Sequence, residues 1–435
     1  MTVRIIKAPV GGEVRAVASK SEAHRLLICA ALADVETLVG CPERSEDIDA
    51  TARCLAELGA AISYEHEEFF VAPIIRGRSI GREHSLDCGE SGSTLRFLLP
   101  VCGALGYHAS LHMGGRLPER PLSSLYDEMT SHGCSLSEQG RSPLVCRGQL
   151  KSGTYALPGN ISSQFVSGLL FALPILEGGG IIRVTGVLES RPYVDITLDA
   201  LRMFGVTVFE ERREESGESR VEDCGFSIPG GQVFRSPKNA RAGGDWSNAA
   251  FWLALGAISR NGVTCSGLDP DSRQGDRAVV EMLKRFGANV AWESGAVTVS
   301  PGVLRGIDID AGDTPDLVPA LAAVACAAEG KTTIYNAGRL RIKESDRLSA
   351  IAGAFGDLGA DIRETEDGLM VIGRKSLSGG QTQSHGDHRI AMSAAILSAA
   401  CVNPVEIRGT EAVRKSYPGF FDDFTTALGG EYIES

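Results

Sequence analysis

Positively charged side chains stand where several apolar segments of the sequence begin. If those segments are helices, each cation in a first turn opposes the helix dipole at a cost of about 0.3–1 kcal/mol. For any single residue, a salt bridge to a nearby carboxylate such as Asp346 or Asp387 is an equally good explanation. For the whole set, an anionic ligand that neutralises the charges is the better one. The set comprises Lys20, Arg25, Arg96, Arg341, Lys343, Arg347 and Arg389, and the loop residues Arg120 and Lys415 can join it.

The sequence offers little support for other kinds of site. Residues 384–388 contain two histidines and an aspartate, but zinc-type partners are missing elsewhere and Arg389 would repel a cation. The sequence has no G-x-S-x-G motif and no cysteine beside a histidine, which argues against a nucleophilic serine or cysteine. It also lacks the glycine-rich loops that hold nucleotide phosphates. We therefore predict no metal site.

Six segments share one pattern, in which a polar, turn-rich start leads directly into an apolar helix. Each helix is apolar on nearly every side, which is typical of buried helices. Each start carries the Ser, Thr, Asp or Gly residues that cap helices and leave backbone N–H groups for an anion. If these starts converge, they predict a site for a negatively charged ligand. They lie at residues 19–25, 89–94, 162–164, 243–247, 314–316 and 386–389.

A second pattern also recurs six times: an amphipathic helix that ends near a glycine and is followed by a short strand. Glycine just after a helix supplies the left-handed residue that turns the chain. The repeating unit therefore has about 70 residues and holds an outer amphipathic helix, an inner buried helix and several strands. The six glycines are Gly59, Gly133, Gly205, Gly287, Gly359 and Gly429.

Length and repeat together predict an α/β protein of two domains. A chain of 435 residues is too long for one hydrophobic core, and six units divide most simply into three plus three. We predict a discontinuous lobe of residues 1–17 and 243–435, which contains both termini, and a second lobe of residues 18–242. The active site is expected in the cleft between them. The Gly-, Pro- and Lys-containing stretch 236–243 suits the second crossing of the chain.

Composition restricts the classes of partner and the compartment. The formal charge of −12 and the pI near 5.3 argue against nucleic acid or an anionic membrane as the main partner. Eleven cysteines without a C-x-x-C pair indicate a reducing cytosol. The first residues resemble no export signal, and no apolar run reaches the length of a membrane span. We expect a cytoplasmic protein.

Six motifs occur in order along essentially the whole chain. They are Lys20-Ser21-x-x-x-Arg25, C-G-E-S-G-S-T-x-R at 88–96, Glu119-Arg120-Pro121, Gly159-Asn160-Ile161-Ser162-Ser163-Gln164, Lys343-Glu344-Ser345-Asp346-Arg347 and Asp387-His388-Arg389. In type and spacing they resemble the 5-enolpyruvylshikimate-3-phosphate synthase family. K-E-[ST]-D-R and G-N-x-S-S-Q are the most specific of them.

The resemblance implies a fold and a reaction. The fold is a two-lobed inverse α/β barrel of six βαβαββ units, three in each lobe, with three buried parallel helices per lobe. The reaction transfers the enolpyruvyl group of phosphoenolpyruvate to the 5-hydroxyl of shikimate 3-phosphate and releases phosphate. It proceeds through a tetrahedral adduct and belongs to the shikimate pathway of aromatic amino-acid biosynthesis. The resemblance implies no cofactor and no metal, and we expect a monomer.

The resemblance also implies roles for individual residues. Asp316 is expected to accept the 5-hydroxyl proton and Glu344 to protonate the methylene carbon, with Lys20 as a further catalytic residue. The residues expected to bind shikimate 3-phosphate are Lys20, Ser21, Arg25, Ser162, Ser163, Gln164, Ser190, Tyr193, Asp316, Arg339 and Lys343. Those expected to bind phosphoenolpyruvate are Lys20, Glu90, Gly92, Arg120, Gln164, Arg347, Arg389 and Lys415.

Three positions depart from the family's pattern. Glu90 stands where many members carry Asn, and it places a carboxylate near the expected phosphoenolpyruvate pocket. Phe97 replaces a frequent Pro after Arg96, and Arg339 replaces an Asn that commonly contacts shikimate.

Two alternative functions share some of these features. The first is a UDP-N-acetylglucosamine enolpyruvyltransferase, with the same fold and the same transferred group. That family usually carries a Cys, occasionally an Asp, in the loop that here spans residues 114–120, where no Cys lies, and its Lys-Asn opening is replaced by Lys20-Ser21. The second is a noncatalytic repeat protein that clamps nucleic acid, against which the acidic pI argues.

Overall fold

The chain folds into two compact units. A computed structural model describes residues 1–75, 77, 82–213, 223–293 and 295–435. The first unit combines Met1–Ser19 with Gly243–Ser435, and we name it the terminal unit because it contains both chain ends. The second, Lys20–Ala242, is named the central unit.

Within the described ranges, the chain forms twelve α-helices. They are α1 Lys20–Ala31, α2 Glu46–Glu57, α3 Gly92–Leu105, α4 Ser123–Ser131, α5 Ser163–Ala172, α6 Arg191–Met203, α7 Trp246–Ile258, α8 Val279–Phe286, α9 Val318–Ala327, α10 Arg347–Asp357, α11 His388–Leu397 and α12 Phe420–Thr426.

The strands of the first half of the chain are β1 Thr2–Lys7, β2 Gly12–Arg15, β3 Thr37–Gly40, β4 Ala61–Glu65, β5 Glu68–Ala72, β6 Glu83–Asp87, β7 His108–His112, β8 Cys134–Leu136, β9 Leu144–Gly148, β10 Gly153–Pro158, β11 Gly180–Thr185 and β12 Phe209–Arg213. Those of the second half are β13 Asp223–Ile228, β14 Asn239–Arg241, β15 Val263–Ser266, β16 Asn289–Glu293, β17 Ala296–Ser300, β18 Asp308–Asp310, β19 Lys331–Tyr335, β20 Asp361–Glu364, β21 Leu369–Ile372, β22 Gly380–Gln383, β23 Val405–Arg408 and β24 Glu431–Glu434.

The described strands form six four-stranded sheets with one shared topology. The central unit holds β14-β3-β5-β4, β6-β7-β9-β8 and β10-β11-β13-β12, and the terminal unit holds β2-β15-β17-β16, β18-β19-β21-β20 and β22-β23-β1-β24. In each sheet, written in this order, the first two strands are parallel and the other neighbours antiparallel. In β10 and β11, for example, the buried Tyr155 lies opposite the buried Ile182. The repeat predicted from the sequence is thereby confirmed.

The pairing of the end strands explains why one unit is discontinuous. β1 lies between β23 and β24, and β2 pairs in parallel with β15, so the first residues complete two sheets of the terminal unit. β14 comes directly before the chain enters the terminal unit, and it completes the first sheet of the central unit by pairing with β3.

The helices divide into inner and outer sets, as the apolar patterns predict. α7 is buried at every residue from Asn248 to Ala257, whereas α8 buries Val279, Leu283 and Phe286 along one face. In the terminal unit, the inner helices α7, α9 and α11 contact one another. The glycines predicted to end the outer helices all have positive φ, from 71° at Gly205 to 109° at Gly59, which confirms their left-handed conformation.

The inner helices begin with polar side chains that cap them. Ser91, Ser162, Asp245 and Asp387 each accept a hydrogen bond from a backbone N–H in the first turn of α3, α5, α7 and α11 respectively. Among the described residues, no helix is both long and apolar enough to cross a membrane.

Candidate active site

The terminal unit gathers charged side chains around Arg347, the first residue of α10. The guanidinium donates from Nε to Asp387 Oδ2 at 2.7 Å, from Nη1 to Asp316 Oδ1 at 2.8 Å and from Nη2 to Glu344 Oε2 at 2.6 Å. Arg347 is only 1% exposed. Burial alone would lower its pKa, but the charges of Asp387, Glu344 and Asp316 outweigh burial and raise it. A buried cation is thus held by carboxylates on its separate nitrogens.

Asp316 also forms ion pairs with two further cations of this cluster, Lys343 and Arg389. It lies in a short 3₁₀ segment, Pro315–Leu317, that leads into α9. Arg389 Nη2 lies 3.3 Å from Asp316 Oδ2, and Lys343 Nζ lies 3.8 Å from Oδ1. Burial would raise the pKa of Asp316, but Arg389, Lys343 and Arg347 hold it well below its usual range. The carboxylate is therefore ionised at neutral pH.

The start of α11 places Arg389 beside this cluster. Asp387 caps the helix by accepting a 3.0 Å hydrogen bond from the Arg389 backbone N–H, while Arg389 Nη1 donates to the Asp316 backbone carbonyl at 3.0 Å. Lys415 ends a 3₁₀ segment, Thr410–Lys415, and its Nζ donates to the Gly386 carbonyl just before the helix at 2.9 Å. Two residues predicted to bind phosphoenolpyruvate thus lie at one helix start.

Arg339 is anchored to backbone near Asp316. It lies in the 3₁₀ segment Gly338–Ile342, and its Nη2 donates to the Gly312 carbonyl at 2.6 Å. The structure thus places Arg339 next to the loop that precedes Asp316.

Asp276 belongs to this electrostatic environment although the sequence did not identify it. It lies in the 3₁₀ segment Gly275–Ala278, is buried, and accepts a hydrogen bond from the Ser247 hydroxyl in the first turn of α7. Burial and the charge of Asp316 raise its pKa to about 6, against the opposing effect of Arg389. The cluster therefore includes a carboxyl group that titrates near neutral pH.

In the central unit, Lys20 and Arg25 are held from different directions at the start of α1. Lys20 Nζ donates to Asp47 Oδ2 on α2 at 2.8 Å. Arg25 donates to the Thr197 hydroxyl at 2.7 Å and to the backbone carbonyls of Ser21 and Tyr193 at 2.6 and 2.8 Å. Because burial dominates, the pKa of Arg25 is lowered to about 10.

Gln164, in the first turn of α5, connects two helix starts of the central unit. Its Nε2 donates to the Ser93 hydroxyl at 2.9 Å, and its Oε1 accepts from Arg96 Nη1 at 3.3 Å. Ser162 caps the same helix and accepts from the Gln164 backbone N–H, and Ser163 beside it is buried. The G-N-x-S-S-Q motif thus forms a helix start, as its pattern predicted.

Gly92 lies against two guanidinium groups. A Cβ built on Gly92 would lie 2.5 Å from Arg96 Nη1 and 2.8 Å from Arg120 Nη1. Arg120 follows the 3₁₀ segment Leu117–Glu119, and Arg96 Nη2 donates to the Pro121 carbonyl at 3.1 Å. The absence of a side chain at Gly92 lets both cations approach this backbone.

Glu90 is directed to the neighbouring turn. A Cβ built on Gly115 would lie 2.5 Å from the carboxyl carbon of Glu90. Glu90 therefore covers the Gly114–Gly115 turn, which leads into the loop carrying Arg120.

Ser190 takes a conformation that is rare for a residue with a side chain. It precedes α6 with φ 55° and ψ 37°, and it is buried. Tyr193 follows in the first turn of α6, where its carbonyl accepts from Arg25. Arg25 therefore directly contacts both Ser21 and Tyr193, two other residues that the resemblance assigns to shikimate 3-phosphate.

The explanation of the helix-start cations by local salt bridges holds in part. Arg341 contacts Asp346 at 3.0 Å and Arg347 contacts Asp387, the two carboxylates that the sequence suggested. The partner of Lys20, Asp47, was not anticipated, because a contact between two helices depends on tertiary packing. Within the described residues, no group of three or more His, Cys, Asp or Glu side chains is placed to hold a metal ion.

Comparison with known proteins finds similarity over nearly the whole chain. The sequence model of the family EPSP synthase (3-phosphoshikimate 1-carboxyvinyltransferase) matches residues 5–424. The chain is 44% identical to the 3-phosphoshikimate 1-carboxyvinyltransferase of Clostridium kluyveri, over 99% of this chain and 98% of that protein. It is 41% identical to the protein of the same name from Clostridium perfringens, over 98% of each.

Solved structures give the same result for the fold. The structure of an EPSP synthase from Acinetobacter baumannii superposes on this chain with a TM-score of 0.79 and 27% sequence identity. The match covers 100% of this chain and 100% of that one. The enolpyruvyl transferase NikO from Streptomyces tendae covers 100% of this chain and 98% of its own, with a TM-score of 0.77. At 18% identity, NikO shows a shared fold alone. The predicted enolpyruvyl transferase fold is confirmed.

Proposed function

The chain belongs to the EPSP synthase (3-phosphoshikimate 1-carboxyvinyltransferase) family, and we propose that it transfers the enolpyruvyl group of phosphoenolpyruvate to the 5-hydroxyl of shikimate 3-phosphate and releases phosphate. It is a transferase of aromatic amino-acid biosynthesis in the shikimate pathway. The observation that carries the proposal is the Arg347 cluster, in which the half-buried Asp316, the neighbouring Glu344 and several cations meet in one place.

Phosphoenolpyruvate has a carboxylate and a phosphate, and both need cations. In the terminal unit, Arg347, Arg389 and Lys415 are suited to these groups because each is fixed by a hydrogen bond to a carboxylate or a carbonyl. In the central unit, Arg120 and Gly92 supply a guanidinium and a close backbone approach. The remaining proposed contacts are Lys20, Gln164 and Glu90.

Shikimate 3-phosphate carries one phosphate and a ring with hydroxyl groups. Ser162 and Ser163 begin an inner helix, where backbone N–H groups and hydroxyls favour a phosphate. Arg25 and Lys20 supply positive charge at another helix start. We assign Ser21, Gln164, Ser190 and Tyr193 to the same ligand, and in the terminal unit Asp316, Lys343 and Arg339 to its ring.

The proton transfers follow from the charges around Asp316. The 5-hydroxyl gives its proton to Asp316, its oxygen bonds to carbon 2 of phosphoenolpyruvate, and Glu344 protonates the methylene carbon. The adduct then returns a methyl proton to the Glu344 carboxylate, and the carbon–oxygen bond to phosphate breaks, so that phosphate leaves with the bonding electrons. Because anionic substrates compete with Asp316 for Lys343, Arg347 and Arg389, their binding raises the basicity of this carboxylate. Lys20 adds positive charge that stabilises developing negative charge.

Several further properties are part of the proposal. The reaction requires proton transfer and fixed cations, and every one of these groups is a side chain of this protein, so we propose that it uses neither metal nor organic cofactor. We also propose that the protein works as a monomer in the cytoplasm. The partners are the two small-molecule substrates, without nucleic acid or membrane.

The main alternative substrate is UDP-N-acetylglucosamine, and one assay separates the two. Phosphate release is measured with phosphoenolpyruvate alone and together with either shikimate 3-phosphate or UDP-N-acetylglucosamine, and the products are identified by mass. We expect release only with shikimate 3-phosphate. Release with UDP-N-acetylglucosamine instead would replace the proposed acceptor, and no release with either would contradict the function.

A further inference from the structure

A chain of buried polar side chains links three helices of the central unit beneath the proposed ligand contacts. His24 Nδ1 on α1 lies 2.7 Å from Thr51 Oγ1 on α2, which lies 2.6 Å from Thr94 Oγ1 on α3. Thr94 Oγ1 in turn donates to Ser91 Oγ, the cap of α3, at 2.8 Å. All four residues are fully buried. We name this set the polar chain.

The polar chain runs one helical turn below the charged contact that joins the same two helices. His24 follows Lys20 by four residues on α1, and Thr51 follows Asp47 by four on α2, so each pair shares a helix face. Lys20 donates to Asp47 just as His24 meets Thr51. α1 and α2 are therefore joined at two successive levels.

The other end of the polar chain reaches the start of α3, whose first residue is Gly92. Ser91 precedes Gly92 and also accepts from the Thr94 backbone N–H at 3.3 Å. Gly92 in turn lies against the guanidinium groups of Arg96 and Arg120. The polar chain thus extends from the start of α1 to the start of α3.

The chemistry of the four groups allows a continuous series of hydrogen bonds. Burial, with the charges of Lys20 and Arg25, holds the pKa of His24 well below its usual range, so the imidazole is neutral. Because each hydroxyl has one proton and Thr94 donates its proton to Ser91, Thr51 donates to Thr94 and the protonated Nδ1 of the neutral imidazole donates to Thr51. Hydrogen bonds in such a buried series reinforce one another.

We infer that the polar chain is a positioning device, which holds the start of α1, with Lys20 and Arg25, in register with the start of α3, with Gly92. This rests on the proposed function, because it assigns these starts to the two substrates. His24, Thr51, Thr94 and Ser91 are positioning residues, since they act through the side chains and backbone above them.

The test replaces one hydroxyl without changing the volume of the side chain. In Thr51→Val, both His24 and Thr94 lose a partner, and we expect the KM for each substrate to rise about tenfold while kcat changes less than about threefold. Thr51→Ser restores the hydroxyl and should bring both KM values back to within about twofold of the unmodified protein. Thr94→Val breaks the next link and should give the same pattern if Thr51→Val does not fold.

A matched control separates positioning from stability. Thr382 in the terminal unit is also buried, and its hydroxyl donates to the Ala354 carbonyl at 3.0 Å. Thr382→Val should lower the unfolding temperature much as Thr51→Val does, with both KM values unchanged. Unchanged KM values in folded Thr51→Val or Thr94→Val, or an equal rise in Thr382→Val, would overturn the inference. An unmodified protein inactive on both substrates would instead contradict the proposed function.

Discussion

Arg25 in the central unit and Arg347 in the terminal unit are both buried arginines near a helix start, yet their surroundings differ. Arg25 is 2% exposed and donates to a hydroxyl and two backbone carbonyls. Arg347 is 1% exposed and donates to the carboxylates of Asp316, Glu344 and Asp387. The pKa of Arg25 is lowered to about 10, whereas that of Arg347 is raised.

The difference indicates two ways of preparing a cation for an anionic substrate. The neutral partners of Arg25 fix its guanidinium in place but do not neutralise its charge. A phosphate that binds there is therefore attracted to a positive charge that these contacts leave uncompensated. Around Arg347 the charges already balance, and an arriving anion competes with carboxylates that can then take up protons. We therefore propose that Arg25 contributes to ligand binding, whereas the cluster around Arg347 contributes both to ligand binding and to proton transfer.

The largest expected effect comes from removing the arginine that binds carboxylates. Arg347→Met leaves Asp316, Glu344 and Asp387 without their shared cation, and we expect a loss of about 3–5 kcal/mol in the free energy of unfolding. Arg25→Met leaves neutral groups unpaired and should lose only about 1–3 kcal/mol. Urea unfolding of both variants at pH 7 checks the difference, with Arg341→Met as a partly exposed control on the segment before α10. Equal losses for Arg25→Met and Arg347→Met would break the comparison.

The second prediction concerns turnover. Asp316→Asn keeps the shape of the side chain but removes the proposed base, and kcat should fall by about two orders of magnitude or more. Circular dichroism should show an intact fold. Asp313→Asn changes an exposed carboxylate of the same segment and serves as the control. A kcat near that of the unmodified protein, with an unchanged pH profile, would remove Asp316 from the mechanism.

The third prediction tests how easily the cations of the central unit are displaced. In Gly92→Ala the new methyl group meets the flexible ends of Arg96 and Arg120, so they shift and the fold remains. We expect the KM for phosphoenolpyruvate to rise about tenfold, with a smaller change for shikimate 3-phosphate. Gly356→Ala on α10 is the control, because a Cβ there meets nothing within 4 Å. No change in either KM would show that Arg96 and Arg120 do not need their present positions.

Much of the fold could be predicted from the sequence because it rests on local signals. A few adjacent residues determine each apolar inner helix, its cap and each left-handed glycine such as Gly59. Because these signals recur six times, they identify the repeating unit. The cations at the helix starts are also predicted from a local signal, namely their position where an apolar segment begins. The family resemblance then named Asp316 and Glu344, which spacing alone did not distinguish from other carboxylates.

The partners of the charged residues could not be predicted, because they depend on tertiary contacts. Asp47 lies on a different helix from Lys20, and Asp276 lies far from Asp316 in the sequence. A buried acidic residue in the 3₁₀ segment Gly275–Ala278 has the same local pattern as an exposed one. The polar environment of Asp276 follows from the packing of this segment on α7, which a single sequence does not specify.

The smallest expected effect comes from Asp276. It tests whether the cations of the terminal unit compensate the negative charge of every carboxylate near Asp316. The folded pKa of about 6 lies above the unfolded value of about 3.9. The favourable contribution of the protonated group to the free energy of unfolding is therefore complete below pH of about 4 and is lost as the pH rises through about 6.

Asp276→Asn removes this pH-dependent loss of stability. A two-unit shift corresponds to at most about 3 kcal/mol, and because Asp276 and Asp316 influence each other's protonation we expect a gain of about 1 kcal/mol over the unmodified protein between pH 4 and 8. Urea unfolding across this range measures the difference, with the exposed Asp271→Asn as control. Since Asp316 is one cause of the raised pKa, the gain should shrink in the Asp316→Asn background. Parallel pH profiles for Asp276→Asn and the unmodified protein would show that the carboxylates of the terminal unit are fully compensated.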